Sequence, residues 1–312
     1  MKFSGKIPLT GTLILFLLFS HQANAQKSTL VYAIRDTQEL KMDIYQPSDP
    51  QEKNPCIIFV FGGAFYTGSR DAGEYHDYFK SLADSGFMVA SIDYRLGMKN
   101  ATKPPSLFNR KTLVNAINMA VEDFYTATGF LLHHADSLHI DTTRILGSGS
   151  SSGAITVLTA DFRKRNFRDK AILPPSFQYA GIISFAGAVY SNHGRPKYKE
   201  KPDPVLLFHG NKDDVVPFKK IALFGTGMYG SSMVIKEYRK KDEPYYFIVL
   251  DGIGHDAASF PMTEYLPEIH DFLREWILEK RPLSEETMIR DDARKNSSLN
   301  FNDVFPKKSK RE

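Results

Sequence analysis

The sequence of 312 residues holds a single cysteine, Cys56. An intrachain disulfide is therefore impossible, and no cysteine cluster is available to hold a metal. Cys56 opens an apolar run and reads as a small buried hydrophobe rather than a nucleophile. Charge of one sign is also missing. Without Lys2 and Lys6 the chain keeps 38 of its 40 basic residues against 36 acidic ones. That balance gives no electrostatic footprint for nucleic acid. There is no internal repeat and no low-complexity tract, and 42% of the residues are apolar, the composition of a globular protein. The apolar run at residues 13–19 is too short to span a bilayer comfortably.

What surrounds that run gives it another meaning. Lys2 and Lys6 precede it, and Ala23-Asn24-Ala25 follows as an A-x-A cleavage site. Residues 1–25 are expected to be a signal peptide, with the mature chain beginning at Gln26 and no stable membrane span left after cleavage. An uncleaved anchor is the alternative. No cysteine follows the run, which argues against a lipid-modified N-terminus. The segment resembles a bacterial export signal, so the periplasm or the exterior is the expected destination.

From residue 30 onward, apolar strands alternate with helical patterns. Residues 30–34 and 40–45 alternate as two strands around Asp36-Thr37-Gln38. The continuous apolar runs at 56–61, 87–94, 179–186, 204–209 and 245–250 are those of strands covered on both faces. Helical spacing is read at 75–85, 111–135, 154–162, 228–241 and 263–280. The implied fold class is α/β, a mostly parallel central sheet with helices on both faces. One domain is expected over residues 26–280. A charged tail at 281–312, docked or disordered, includes Lys307-Lys308-Ser309-Lys310-Arg311, read as a solvated end.

The chemistry is concentrated where an apolar approach, Ile145-Leu146-Gly147, runs into Gly149-Ser150-Ser151-Ser152-Gly153 and then into a helix. A nucleophile held on a sharp strand-to-helix turn crowds the residues two before and two after it, so both must be very small. Ser151 is the serine with glycine at both positions. A flexible Gly/Ser linker is the alternative reading of such a cluster. A serine nucleophile needs a base, and the base needs an orienting acid. Two loops after later strands offer them: His209-Gly210-Asn211-Lys212-Asp213-Asp214-Val215-Val216-Pro217 and Asp251-Gly252-Ile253-Gly254-His255-Asp256.

In this order and spacing the chain resembles an α/β-hydrolase of the exported bacterial esterase/lipase, carboxylesterase-like type. The resemblance spans roughly residues 30–280. It rests on the serine motif and on Gly-x-x-Asp-x-x-Val-Pro, which points to Asp213. It rests also on Gly-x-Gly-His, which points to His255, and on Phe61-Gly62-Gly63-Ala64-Phe65-Tyr66-Thr67-Gly68, which is similar to the family's His-Gly-Gly-Gly loop. Asp93-Tyr94-Arg95-Leu96 and Ile140-Asp141 ahead of Arg144-Ile145 also match. The resemblance implies a catalytic triad of Ser151, Asp213 and His255. It implies an oxyanion hole from the backbone N–H of Ser152 and of Gly63 or Ala64. It implies no cofactor and no metal, and a small-molecule or carbohydrate ester as substrate. There are departures. Phe61 stands where the family has histidine, so that histidine's support of the loop is absent. Ala64 replaces a third glycine, and Ser152 stands where many relatives have alanine.

Other clusters are weighed and set aside. His133, His134, His139 and His193 have no coherent ligand pattern. Glu122 and Asp123 are adjacent on a helix, point different ways and read as a solvated face. His209 reads as structural. Phe59, Phe61 and Phe65 read as core, with Phe65 and Tyr66 as candidates for a pocket mouth. Asn100-Ala101-Thr102 and Asn296-Ser297-Ser298 are glycosylation sequons if the source is eukaryotic. Residues 163–177, 187–203 and 225–232 are candidates for a cap; lacking a long apolar lid, they favour short acyl or carbohydrate-linked esters. A serine peptidase of the prolyl-oligopeptidase type shares the triad order. A catalytically inactive binding protein on the same fold is the reading from another class.

Overall fold

The computed structural model describes residues 27–101, 110–167, 173–294 and 296. The expected signal peptide, the basic end at 307–311, Thr102, Ser297 and Ser298 of the sequons, and residues 168–172 of the candidate cap lie outside them.

The strands are β1 Lys27–Arg35, β2 Gln38–Tyr45, β3 Asn54–Val60, β4 Met88–Ile92, β5 Ile140–Ser150, β6 Gly181–Phe185, β7 Ala188–Ser191, β8 Val205–Gly210, β9 Lys220–Leu223, β10 Thr226–Gly230, β11 Tyr245–Asp251 and β12 Ser284–Arg290. The helices are α1 His76–Asp84, α2 Lys111–His133, α3 Ser152–Phe167, α4 Ser231–Lys241, α5 Pro261–Glu264 and α6 Leu266–Phe272. Among the described residues nine strands form one sheet in the order β1-β2-β4-β3-β5-β6-β8-β11-β12. β1, β2 and β4 pair antiparallel, and every pairing from β4 to β12 is parallel. The uninterrupted apolar runs of β3, β4, β6 and β8 are buried throughout or nearly so, because helices cover both faces. The parallel register brings the carboxyl ends of β3, β5, β6, β8 and β11 to one edge, where an open α/β sheet builds its sites.

Three expectations are corrected. The helix read at 228–241 begins at Ser231. Residues 226–230 instead form β10, which pairs with β7 and β9 in a small antiparallel sheet. This sheet takes in parts of the expected cap segments 187–203 and 225–232. The closing helix read at 263–280 is broken. α5 ends at Glu264, because Pro267 has no N–H and its ring clashes with the carbonyl four residues earlier. α6 then widens into a π-helical turn at Leu273–Leu278. Asp123 is not on a solvated face. It is fully buried and receives the Arg95 guanidinium at 2.9 Å (Nε to Oδ2) and 2.7 Å (Nη2 to Oδ1). Glu122, its outward neighbour, takes Arg95 Nη2 at 2.7 Å. Part of the tail, residues 284–290, is strand β12 on the sheet edge.

Candidate active site

β5 runs to Ser150 and α3 starts at Ser152, so Ser151 makes the turn alone, with φ at +51°. A non-glycine residue there is strained and is held by its surroundings. The Ser151 N–H donates to Phe185 O at 2.9 Å, and Ser151 O accepts from the Ile155 N–H at 2.9 Å. The two flanking glycines are required by close approach. A Cβ on Gly149 would lie 2.5 Å from the Gly153 carbonyl carbon, and one on Gly153 would lie 1.9 Å from Val60 O.

The three residues picked out along the sequence come together. Ser151 Oγ lies 2.8 Å from His255 Nε2, and His255 Nδ1 lies 2.8 Å from Asp213 Oδ2. A carboxylate only accepts, so Nδ1 carries the proton and Nε2 is left to accept from the serine. Asp213 is buried, and its other oxygen accepts from the N–H groups of Val215 at 2.8 Å and Val216 at 2.9 Å. Burial raises the Asp213 carboxyl. Hydrogen bonds from His209 and His255 outweigh that and hold it well below the ordinary carboxylate range. Asp214 is exposed, and the chain beyond it runs into β9 at Lys220.

His209 is more than a space-filler. It is fully buried, with Nε2 3.2 Å from Val216 O and 3.4 Å from Asp213 Oδ2. Both neighbours are acceptors, so Nε2 carries the proton and Nδ1 accepts from the Ser231 hydroxyl at 2.8 Å. Its link to the acid arises from the fold, and the sequence signal was only its place at the end of a buried strand.

The 61–68 loop lies against the elbow. A Cβ on Gly62 would meet Ser150 Oγ at 3.1 Å and Ser151 Cβ at 3.4 Å. Gly63 O accepts the N–H groups of Tyr66 at 2.9 Å and Thr67 at 3.0 Å, a tight turn with positive φ at Gly63, Ala64 and Phe65. Among the described residues the N–H groups of Gly63, Ala64 and Ser152 donate to no protein acceptor. The loop has supports that its histidine-free sequence does not advertise. The Tyr94 hydroxyl donates to Phe61 O at 3.1 Å and lies 3.2 Å from Ser152 Oγ, while its ring packs on Phe61 at 4.5 Å. Tyr94 is in turn fixed on both sides: Asp93 holds Arg70 at 2.9 Å, and the Arg95 N–H donates to Asp123 at 2.8 Å. The Gly62 N–H donates to the Tyr75 hydroxyl at 3.3 Å. Phe65 is buried and belongs to the core, and Tyr66 is half-buried.

Cys56 is buried on β3, and burial pushes its thiol up to about 12, which keeps it protonated and unreactive at neutral pH. Among the described residues no group of three or more His, Cys, Asp or Glu is placed to hold a metal ion. Among them, too, no helix is long and apolar enough to cross a membrane.

The known proteins to which the chain is similar include esterases. A family model described as BD-FAE matches residues 42–189. The chain is 28% identical over 144 residues to gut esterase 1 of Caenorhabditis elegans, covering 46% of this chain and 24% of that protein. It is 40% identical over 55 residues to a probable isoprenylcysteine alpha-carbonyl methylesterase of Oryza sativa subsp. japonica, covering 18% of this chain and 13% of that one. The matches thus span a quarter or less of these relatives' lengths. Butyrate-bound esterase 2 of Thermogutta terrifontis superposes with a TM-score of 0.60 at 20% identity, covering 84% of this chain and 96% of that one.

Proposed function

We propose that the chain, whose sheet and helices have the α/β-hydrolase fold, is a member of that superfamily and a serine hydrolase of carboxylic esters. The observation that carries the reading is the continuous relay from Ser151 Oγ through His255 to a buried, ionised Asp213. Ser151 Oγ attacks the acyl carbon as His255 Nε2 takes its proton. The C–O bond to the alcohol breaks and His255 returns the proton to the leaving oxygen. Water then repeats the sequence on the acyl-enzyme, with His255 again as base, and the acid is released. Asp213 orients the imidazole and stabilises its cation. The N–H of Ser152 and those of Gly63 and Ala64 are the donors for the tetrahedral oxyanion. No cofactor enters these steps.

The substrate class is a small-molecule or carbohydrate-linked ester of short acyl length. The butyrate bound to the Thermogutta terrifontis neighbour supports a short acyl group. A panel of aryl esters of graded acyl length, acetylated sugars and matched amides tests the reading. Turnover of short esters with amides untouched is expected. Amide hydrolysis at comparable rates would transfer the chain to the peptidases. The A-x-A signal further supports export to the periplasm or beyond. Intact mass of the secreted form is expected to begin at Gln26, and retention of Met1 would mean an anchor.

A further inference from the structure

The chain continues past its closing helix and returns to the site. β12 pairs in parallel with β11, Arg290 opposite Asp251, so it ends at the sheet edge where the histidine loop lies. A turn follows, in which Asp291 Oδ1 accepts the Ala293 N–H at 3.0 Å and Asp291 O accepts the Arg294 N–H at 3.2 Å. Beyond it two side chains reach back. The Arg294 guanidinium lies 3.9 Å over the Phe260 ring and pairs with Glu264. Asn296 Oδ1 accepts the Gly254 N–H at 2.9 Å, and its Nδ2 donates to Gly252 O at 2.6 Å. Gly254 immediately precedes His255.

The acid-loop side of this turn is already tied down. The Gly252 N–H donates to Asn211 Oδ1 at 2.9 Å, and Ile253 O accepts the Lys212 N–H at 2.9 Å. The Ile253 N–H donates to Leu250 O at 3.3 Å, and Asn296 takes Gly252 O and the Gly254 N–H. A turn with two glycines in three residues has wide backbone freedom. A carboxamide, whose NH2 donates and whose carbonyl oxygen accepts, fits a C=O and an N–H two residues apart.

We infer that Asn296 is a positioning residue: carried to the site by β12, its amide fixes peptides 252–254 so that the His255 imidazole stays in line between Ser151 and Asp213. This rests on the reading of those three residues as a triad. Misplacement of a catalytic group by about 1 Å can cost about 100-fold in rate, so a local loosening is felt in kcat rather than in KM.

The test is steady-state kinetics on one aryl ester for the wild type, Asn296→Ala and Asn296→Asp, with melting temperatures and the proton NMR resonance of His255 Nδ1–H. Asn296→Ala is expected to lower kcat roughly 10-fold, to leave KM within about twofold, and to broaden the Nδ1–H resonance while melting like the wild type. Asn296→Asp keeps the acceptor for Gly254 and loses the donor to Gly252, so it should fall between. Wild-type kcat and an unchanged resonance in Asn296→Ala would overturn the inference. So would a loss of kcat that merely follows a loss of folded protein. A wild type that hydrolyses no ester would overturn the proposed activity instead. The resonance would then still test the clamp, because it needs only the His255–Asp213 hydrogen bond.

Discussion

At the scale of the residue, the assignment most open to a swap is the acid. Asp213 and Asp214 are adjacent and both charged, yet only one reaches the imidazole. Asp213 has all its oxygens engaged: Oδ2 by His255, with His209 close by, and Oδ1 by two backbone N–H groups. Asp214 faces solvent. Loss of a triad acid leaves the imidazole misoriented and can cost about 10⁴-fold. Asp213→Asn is therefore expected to abolish most of kcat, and Asp214→Asn to change it little, both measured on folded protein with one ester. The reverse pattern would move the acid to Asp214. Ser151 was legible in the sequence because its two flanking glycines are what the local backbone demands, and Asp213 and His255 through loops that resemble those of a known family. Tyr75, Tyr94 and Asn296 were not assigned these roles, because their partners lie 13, 33 and 42 to 44 positions away and no local spacing records a hydrogen bond across the fold; His209, four positions from Asp213, was read only as structural. The worry raised by Phe61 is met in this way. The support that a histidine would give the loop comes instead from two tyrosine hydroxyls on other elements.

At the scale of the element, the elbow is a packing problem before it is a catalytic one. α3 can start where it does only because Gly153 lets the helix touch β3 at Val60, and Gly149 lets β5 touch the helix. A methyl group on Gly153 would stand 1.9 Å from a backbone oxygen, with no flexible side chain to move aside. Overpacking of this kind costs roughly 1–3 kcal/mol or more. Gly153→Ala is expected to melt several degrees lower or to fail to fold. Ser152→Ala, which removes only a hydroxyl beside Tyr94, should melt close to the wild type. Equal melting of Gly153→Ala and the wild type would contradict the close approach. Elements were legible in proportion to how strongly the core patterns them. β3, β4, β6, β8 and β11 read out as continuous apolar runs. β12 did not, because most side chains of Ser284–Arg290 are exposed and, among the described residues, it is an edge strand paired with β11 alone. β9 and β10 escaped for a related reason: four and five residues long and largely outside the core, they owe their conformation to pairing rather than to burial.

At the scale of the whole molecule, the site exists only in the folded chain. Ser151 and His255 stand 104 positions apart, and His255 and Asp213 stand 42 apart. They meet because the parallel register ends β5, β8 and β11 at the same sheet edge. The fold class was legible from the alternation of strands and helices. The small second sheet and the strap formed by β12 and Asn296 were additions beyond that pattern. A serine hydroxyl is a weak nucleophile until its base is in place, so the reactivity proposed for Ser151 is a property of the assembly and not of the residue. The measurement that tests this most directly is fluorophosphonate labelling of the folded and the heat-denatured protein, with the adduct located by mass spectrometry. One adduct per chain, on Ser151, in the folded protein and none after denaturation is the expected result. A folded protein left unlabelled, or labelled at Ser150 or Ser152 instead, would contradict the account.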